Sequence, residues 1–164
     1  ELGEPLNAIP YGIEAMNVMR IEKGHATGAE INGQTTALNL GLGRMVNKTK
    51  DSIGNVLSER DVLSDPSGPM LVGLRQLEDK VPLVAGSHLV NLQEKTSEAE
   101  SQGYVTSVAY SPNLESTIGL GFLKNGESRR GEIIWAVNPL QGQEVQVEVT
   151  NPVFVDPEGE RLRV

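Results

Sequence analysis

Apolar positions in this chain recur with two different periods. Up to about residue 65 they fall at helical spacing, and beyond residue 70 they alternate. Ile13, Met16 and Val18–Met19 line one face, with Glu14 and Asn17 off it, which predicts an amphipathic helix of two to three turns in the stretch that opens at Tyr11. Gly24 is placed to end that helix in a left-handed conformation. A polar loop follows through Thr27, Gly28, Asn32 and Gly33. Thr35-Thr36 then offers an N-cap for a short helix over Ala37–Leu42, weakened by Gly41 and Gly43. Asp51 or Ser52 is placed to cap a further helix running to about Leu63, with Ile53, Val56, Leu57 and Arg60 at helical spacing. The sequence Asp-Pro-Ser-Gly-Pro over 65–69 breaks the chain.

Beyond that break the period is two. Met70–Leu77 predicts a strand with Leu71, Gly73, Arg75 and Leu77 on one face, and Leu83–Leu92 a second, interrupted by Gly86. The acidic stretch Gln93–Gly103 reads as a solvated loop. Tyr104–Tyr110, Ser116–Leu123, Glu132–Val137 and Glu144–Val149 predict four more strands. Val145, Val147 and Val149 alternate cleanly with Gln146 and Glu148. Ser111-Pro112-Asn113 supplies one turn, and Asn125-Gly126 carries the dipeptide signal of a hairpin. The expected class is therefore α+β: a short helical and mixed segment, then six short strands forming a small antiparallel barrel or jelly-roll-like domain.

Charge and composition narrow the function. Lys and Arg total 14 against 22 Asp and Glu in 164 residues, a net charge of −8. Such a chain is a poor match for phosphate backbones and for anionic membrane surfaces, so neither nucleic acid nor membrane is an expected partner. The absence of cysteine excludes disulfides, thiolate nucleophiles and thiolate metal sites. No apolar run approaches the ~18 residues of a spanning helix and no signal-peptide pattern opens the chain, so a cytoplasmic location is expected. The first ten residues, with two prolines, read as the end of a truncated element. A first residue of Glu rather than Met fits an excised fragment.

Little of the remaining chemistry is catalytic. His25 and His88 stand far apart without a ligand-spaced partner and read as structural or surface imidazoles, with no metal expected. The Gly-Leu-Gly runs at Gly41–Gly43 and Gly119–Gly121 do not continue into a dinucleotide-binding loop and read as packing glycines. No nucleophile–base triad is spaced along the chain, and Asp61, Asp65 and Glu94–Glu100 read as solvated charge. Asn47-Lys48-Thr49 matches a glycosylation acceptor by chance.

Longer stretches carry a resemblance. Met-Arg-Ile-Glu-Lys-Gly-His (19–25), NGQTTALNLGLGRMV (32–46) and Lys-Asp-Ser-Ile-Gly (50–54) resemble the glycine-cleavage T-protein (aminomethyltransferase) superfamily. GYVTSVAYSPNLESTIGLGFL (103–123) is similar to the signature of that superfamily's C-terminal domain. The first motif and the tail NPVFVDPEGERL (151–162) look most like the alpha-subunit family of heterotetrameric sarcosine oxidases. The resemblance implies that residues 1–65 are the tail of a folate-binding core and residues 70–164 a C-terminal β-barrel. It implies an intact enzyme that demethylates sarcosine to glycine and passes the one-carbon unit to tetrahydrofolate, or releases formaldehyde. Flavin and NAD would be bound outside this stretch, the catalytic aspartate and pterin-binding glutamate lie upstream, and the partners are the other oxidase subunits. No catalytic residue is expected in this chain, and in isolation it should be inactive. Dimethylglycine oxidase or dehydrogenase, an aminomethyltransferase proper and a non-catalytic scaffold remain alternatives.

Arg20 and Glu22 are the candidate site residues. Alternating at a helix end, they are suited to bracing the domain by ion pairs or by bonds to loose carbonyls. The resemblance also places Arg20 near the folate channel, where a guanidinium suits the carboxylates of a glutamyl tail. The family's folate-contacting arginine one helical turn earlier is Met16 here, so that contact does not carry over.

Overall fold

The computed structural model describes residues 2–47, 49–91 and 100–163. A helix, α1 (Ile13–Glu22), and two single-turn helices, α2 (Asn55–Ser58) and α3 (Asp61–Ser64), precede six strands: β1 (Pro69–Gln76), β2 (His88–Asn91), β3 (Gly103–Ser111), β4 (Ser116–Lys124), β5 (Ile133–Asn138) and β6 (Gln143–Thr150). The strands close into an antiparallel barrel in the order β1-β4-β3-β2-β5-β6. Among the described residues no helix is long and apolar enough to cross a membrane.

The alternating pattern explains how the barrel is filled. Val72 and Leu74 of β1, Leu89 of β2, Val105 of β3, Ile134 and Ala136 of β5 and the three valines of β6 form its interior. β4 has two buried faces. Ile118, Leu120 and Phe122 point outward into a second cluster with Ile21 and Leu71, while Gly119 and Gly121 point inward. A methyl group on Gly121 would lie 3.0 Å from Leu74 Cδ1 and 2.7 Å from the Tyr104 carbonyl oxygen. The barrel is too narrow there for any side chain. The C-terminal tail folds over the outer face of β1: a Cβ on Gly73 would meet Asn151 O at 2.4 Å and the Phe154 ring at 2.7 Å.

Several sequence expectations are corrected. The apolar stripe of α1 faces solvent, Ile13 at 79% exposure and Met16 at 51%. The helix meets the barrel only through its last turn, where Ile21 and Glu22 are buried. Ala37–Leu42 forms turns rather than a helix, and the one regular element there is a 3₁₀ turn at Gly43–Met45. The expected helix to Leu63 is split because Arg60 is extended (ψ 139°). Its first part starts after Gly54 at φ 96°, without a side-chain cap from Asp51 or Ser52. Strand β2 starts at His88, because Gly86 sits at φ 88° in a turn. Asn125-Gly126 is no hairpin: Asn125 at φ 54° leads into a 3₁₀ helix, and β5 pairs with β2 and β6 rather than with β4. Residues 93–99 of the expected acidic loop lie outside the described residues.

Leu74→Ala, which empties the middle of the barrel, is expected to lower the unfolding free energy by about 2–5 kcal/mol in a denaturant titration. Gly73→Ala should lower it by about 1–3 kcal/mol by displacing the tail. Gly12→Ala, which meets nothing within 4 Å, should leave the midpoint unchanged.

Candidate functional site

The last turn of α1 projects Arg20, Ile21 and Glu22 toward β3 and β4, and each finds a separate receptor. Ile21 enters the apolar cluster on the outer face of β4. Glu22 is buried: the Ser111 hydroxyl donates to Oε1 at 2.5 Å, and Asn113 Nδ2 donates to both carboxyl oxygens at 3.0 and 2.9 Å. Its backbone carbonyl accepts from the Phe154 and Val155 amides of the tail, at 2.9 and 3.0 Å. One residue thus ties the helix to the end of β3 and to the C-terminus. Lys23 extends the tie, bonding the Asp156 carbonyl and pairing with its carboxylate at 3.2 Å. Gly24, at φ 67°, turns the chain away beneath Pro152.

Arg20 is held on three sides. Its Nε donates to Asn17 Oδ1 at 2.9 Å, Nη1 to Glu30 Oε2 at 3.1 Å, and Nη2 to Ser107 Oγ at 2.7 Å. Glu30, which the sequence did not single out, is the centre of this arrangement and is fully buried. Its Oε2 also accepts from the Thr27 amide at 2.8 Å, and its Oε1 accepts from the hydroxyls of Thr106 and Ser107, both at 2.6 Å. Two consecutive strand residues ordinarily point to opposite faces. Here β3 carries an irregularity between Val105 and Ser107, so Thr106 and Ser107 both face outward toward Glu30. The one legible signal was the Thr-Ser pair inside an otherwise alternating strand.

Burial would push the Glu30 carboxyl up, but the bonds from Ser107, Thr106 and the Thr27 amide, with the Arg20 charge, outweigh it and hold it below the ordinary glutamate range. The segment is pinned a second time nine residues on. Asn39 Nδ2 donates to the Pro69 carbonyl at 2.8 Å and the Leu71 amide donates to Asn39 O at 2.7 Å. Arg20 and Glu22 therefore share one helix turn but not one network. His25 and His88 are not brought together: His88 Nδ1 lies 3.1 Å from Ser101 Oγ, which itself donates to the Gly103 carbonyl. Beside these pinned segments, an open groove of about 680 Å³ is lined by Thr, Asn and Ser side chains, among them Asn32, Thr36 and Asn55, and by the exposed Met45, Ile53 and Leu57.

Glu30→Gln keeps the shape but leaves Arg20 uncompensated, and is expected to cost about 3–5 kcal/mol. Because the folded carboxyl titrates below its unfolded value of about 4.3, its contribution is complete above that pH. It is lost as the pH falls through the lowered folded value. Denaturation midpoints measured down the acid range should accordingly fall less steeply in Glu30→Gln than in the parent chain.

Comparison with known proteins fits this architecture. Residues 70–156 match the family described as glycine cleavage T-protein C-terminal barrel domain, and residues 1–50 match the GCVT N-terminal domain. The whole chain is 41% identical, over 165 residues, to sarcosine oxidase subunit alpha of Rhizobium meliloti (strain 1021), and covers 17% of that protein. The corresponding subunit of Corynebacterium sp. (strain U-96) is 35% identical over 97% of this chain, again with 17% of the relative covered. An aminomethyltransferase of Francisella tularensis subsp. tularensis is 32% identical over 90% of the chain and 38% of the relative. The crystal structure of glycine cleavage system aminomethyltransferase T from Bartonella henselae superposes with a TM-score of 0.71 at 22% identity, over 87% of this chain and 38% of that one. The chain thus spans about one sixth of the sarcosine oxidase relatives, to whose C-terminal region it is homologous. By its barrel and by the sequence match across residues 70–156, the chain belongs to the glycine cleavage T-protein family.

Proposed function

We propose that this chain serves as the C-terminal portion of a sarcosine oxidase alpha subunit, with residues 1–65 the tail of a folate-binding core and residues 70–164 the barrel that covers it. The carrying observation is the 41% identity over an alignment that spans the entire chain. On this reading the intact, cytoplasmic enzyme demethylates sarcosine oxidatively to glycine and transfers the one-carbon unit to tetrahydrofolate. The flavin and NAD sites and the catalytic aspartate lie in the rest of the enzyme.

The residues of this chain fit the part of a wall. Arg20 keeps 15% of its side chain exposed. Each of its terminal nitrogens carries a second N–H beyond the bonds to Glu30 and Ser107, suited to a carboxylate of a glutamyl tail. Glu22, with both oxygens engaged by Asn113, acts indirectly by fixing the turn after β3. The exposed Tyr11, Ile13, Met16 and Met19 supply an apolar surface for packing against the remainder of the core or against other subunits. The aminomethyltransferase match supports a second reading, in which the same wall serves a folate enzyme without a flavin.

The test replaces the matching segment of the Rhizobium meliloti alpha subunit with this chain. The assembled hybrid is expected to consume oxygen with sarcosine and to form methylenetetrahydrofolate when tetrahydrofolate is present. An assembled, flavin-loaded hybrid that is inert toward sarcosine sinks the reading. In the same hybrid, Arg20→Lys should raise the KM for tetrahydrofolate about tenfold, equivalent to ~1.4 kcal/mol, while sarcosine oxidation without folate keeps its rate. An unchanged KM would leave Arg20 a brace alone.

A further inference from the structure

The chain contains two Asn-Gly dipeptides, Asn32-Gly33 and Asn125-Gly126, and the fold treats them oppositely. Asn32 and Gly33 are both exposed, in the loop that leaves the Glu30 hub. The Asn32 side chain is folded back in a local turn. Its Oδ1 accepts from the Gln34 amide at 2.9 Å and from the Thr35 hydroxyl at 3.2 Å, and the Thr35 amide closes the turn on Asn32 O at 3.1 Å. The ring closed by the first of these bonds contains both the Asn32 side-chain carbonyl carbon and the Gly33 peptide nitrogen, so the two are held on the same side of the turn. The two donors draw electron density from that carbonyl, as an oxyanion-binding arrangement does. Gly33 offers no steric barrier: a Cβ built there meets nothing within 4 Å.

Asn125-Gly126 is the internal contrast. Asn125 is exposed but sits at φ 54° at the start of a 3₁₀ helix, with its carbonyl taken by the Ser128 amide at 3.1 Å. Gly126 is buried, and a Cβ on it would lie 2.6 Å from Val72 Cγ1 and 3.2 Å from the Met70 carbonyl. Gly126 is thus packed against β1, and any reorientation of its peptide unit has to work against that packing.

We propose that Asn32 is a site of spontaneous deamidation in the folded protein, and that Asn125 is protected by the fold. The Gly33 nitrogen, losing its proton, forms a bond to Asn32 Cγ. The Cγ–Nδ2 bond breaks and ammonia leaves with that proton, giving a succinimide. Water then opens the ring at either carbonyl to yield aspartate or isoaspartate. Aspartate retains the turn, since a carboxylate accepts the same two bonds, and adds a negative charge beside the groove that Lys50 also lines. Isoaspartate inserts one carbon into the main chain. It does so between the two points that pin this segment to the barrel, Glu30 on Thr106 and Ser107, and Asn39 on Pro69. The conversion therefore slackens the span between those pins.

Trypsin places the two sites in different peptides, residues 24–44 and 125–129, so one digest reads both. After incubation of the purified folded chain in mildly alkaline buffer, the 24–44 peptide should gain one dalton at Asn32, with isoaspartate detected by a protein-isoaspartyl methyltransferase. Asn125 should react at least about tenfold more slowly, a barrier difference of ~1.4 kcal/mol or more. In denaturant the two rates should converge. Gly33→Ala, which the open backbone accommodates, should keep the parent denaturation midpoint and lose most of the conversion at Asn32. Equal rates at the two sites in the folded chain, or an Asn32 that stays intact while the denatured chain converts, would overturn the proposal.

Discussion

A carboxylate with no exposure to water is an expensive thing to place in a protein, and the arrangement around Glu30 is built to meet that cost. Desolvating the charge raises its energy. Three hydroxyls, a backbone amide and a guanidinium return enough to keep it ionised. Each donor belongs to a different part of the chain: Arg20 to α1, Thr27 to the loop that follows it, and Thr106 and Ser107 to β3. Satisfying one side chain therefore sets the angle of the helix, the path of the loop and the local irregularity of the strand. A network that is satisfied only as a whole rigidifies its members, because the loss of any one leaves charge unpaired in a dry site.

The barrel supplies the rigid partner. Its interior takes valines and leucines from alternate positions, and where β4 crosses β1 and β3 it admits only glycine. Glycine inside that strand leaves its outer face, Ile118, Leu120 and Phe122, to carry the packing against α1. The tail then comes back across Gly73 and Gly24 to bond the Glu22 carbonyl. α1 is thus gripped at its C-terminal end by barrel and tail, and its N-terminal two turns project with their apolar side chains exposed. The gripped end of α1 and its exposed apolar end lie in the segment that matches the GCVT N-terminal domain, ahead of the segment that matches the barrel.

Much of this was readable one residue at a time. Helix α1, its glycine exit, the break at 65–69 and the six strands follow from local periodicity and turn chemistry, which need only the neighbouring residues. The motifs that resemble T-proteins lie on the same elements and led to the right family. Of the site, the sequence offered Arg20 and Glu22 as residues suited to bracing the domain at a helix end; the structure gives each its own set of partners. Glu30 was missed because the strand hydroxyls that receive it lie 76 and 77 residues away, and without them its near neighbours Thr27 and Arg20 do not distinguish it from a solvated loop glutamate.

The errors share that origin. The stripe on α1 was real, but which surface it meets is not encoded in its period. Asn125-Gly126 has the composition of a hairpin turn, yet strand pairing is decided by which edges complete a closed barrel, and closure placed β5 beside β2 and β6. The sequence by itself determined the elements, the alternation that fills the barrel and the glycines that let backbones approach. Only the tertiary structure decided the pairing of the strands, the separation of Arg20 from Glu22 into two networks, and the burial of Glu30. Those outcomes depend on contacts between distant residues whose energies exist only once the chain has closed on itself.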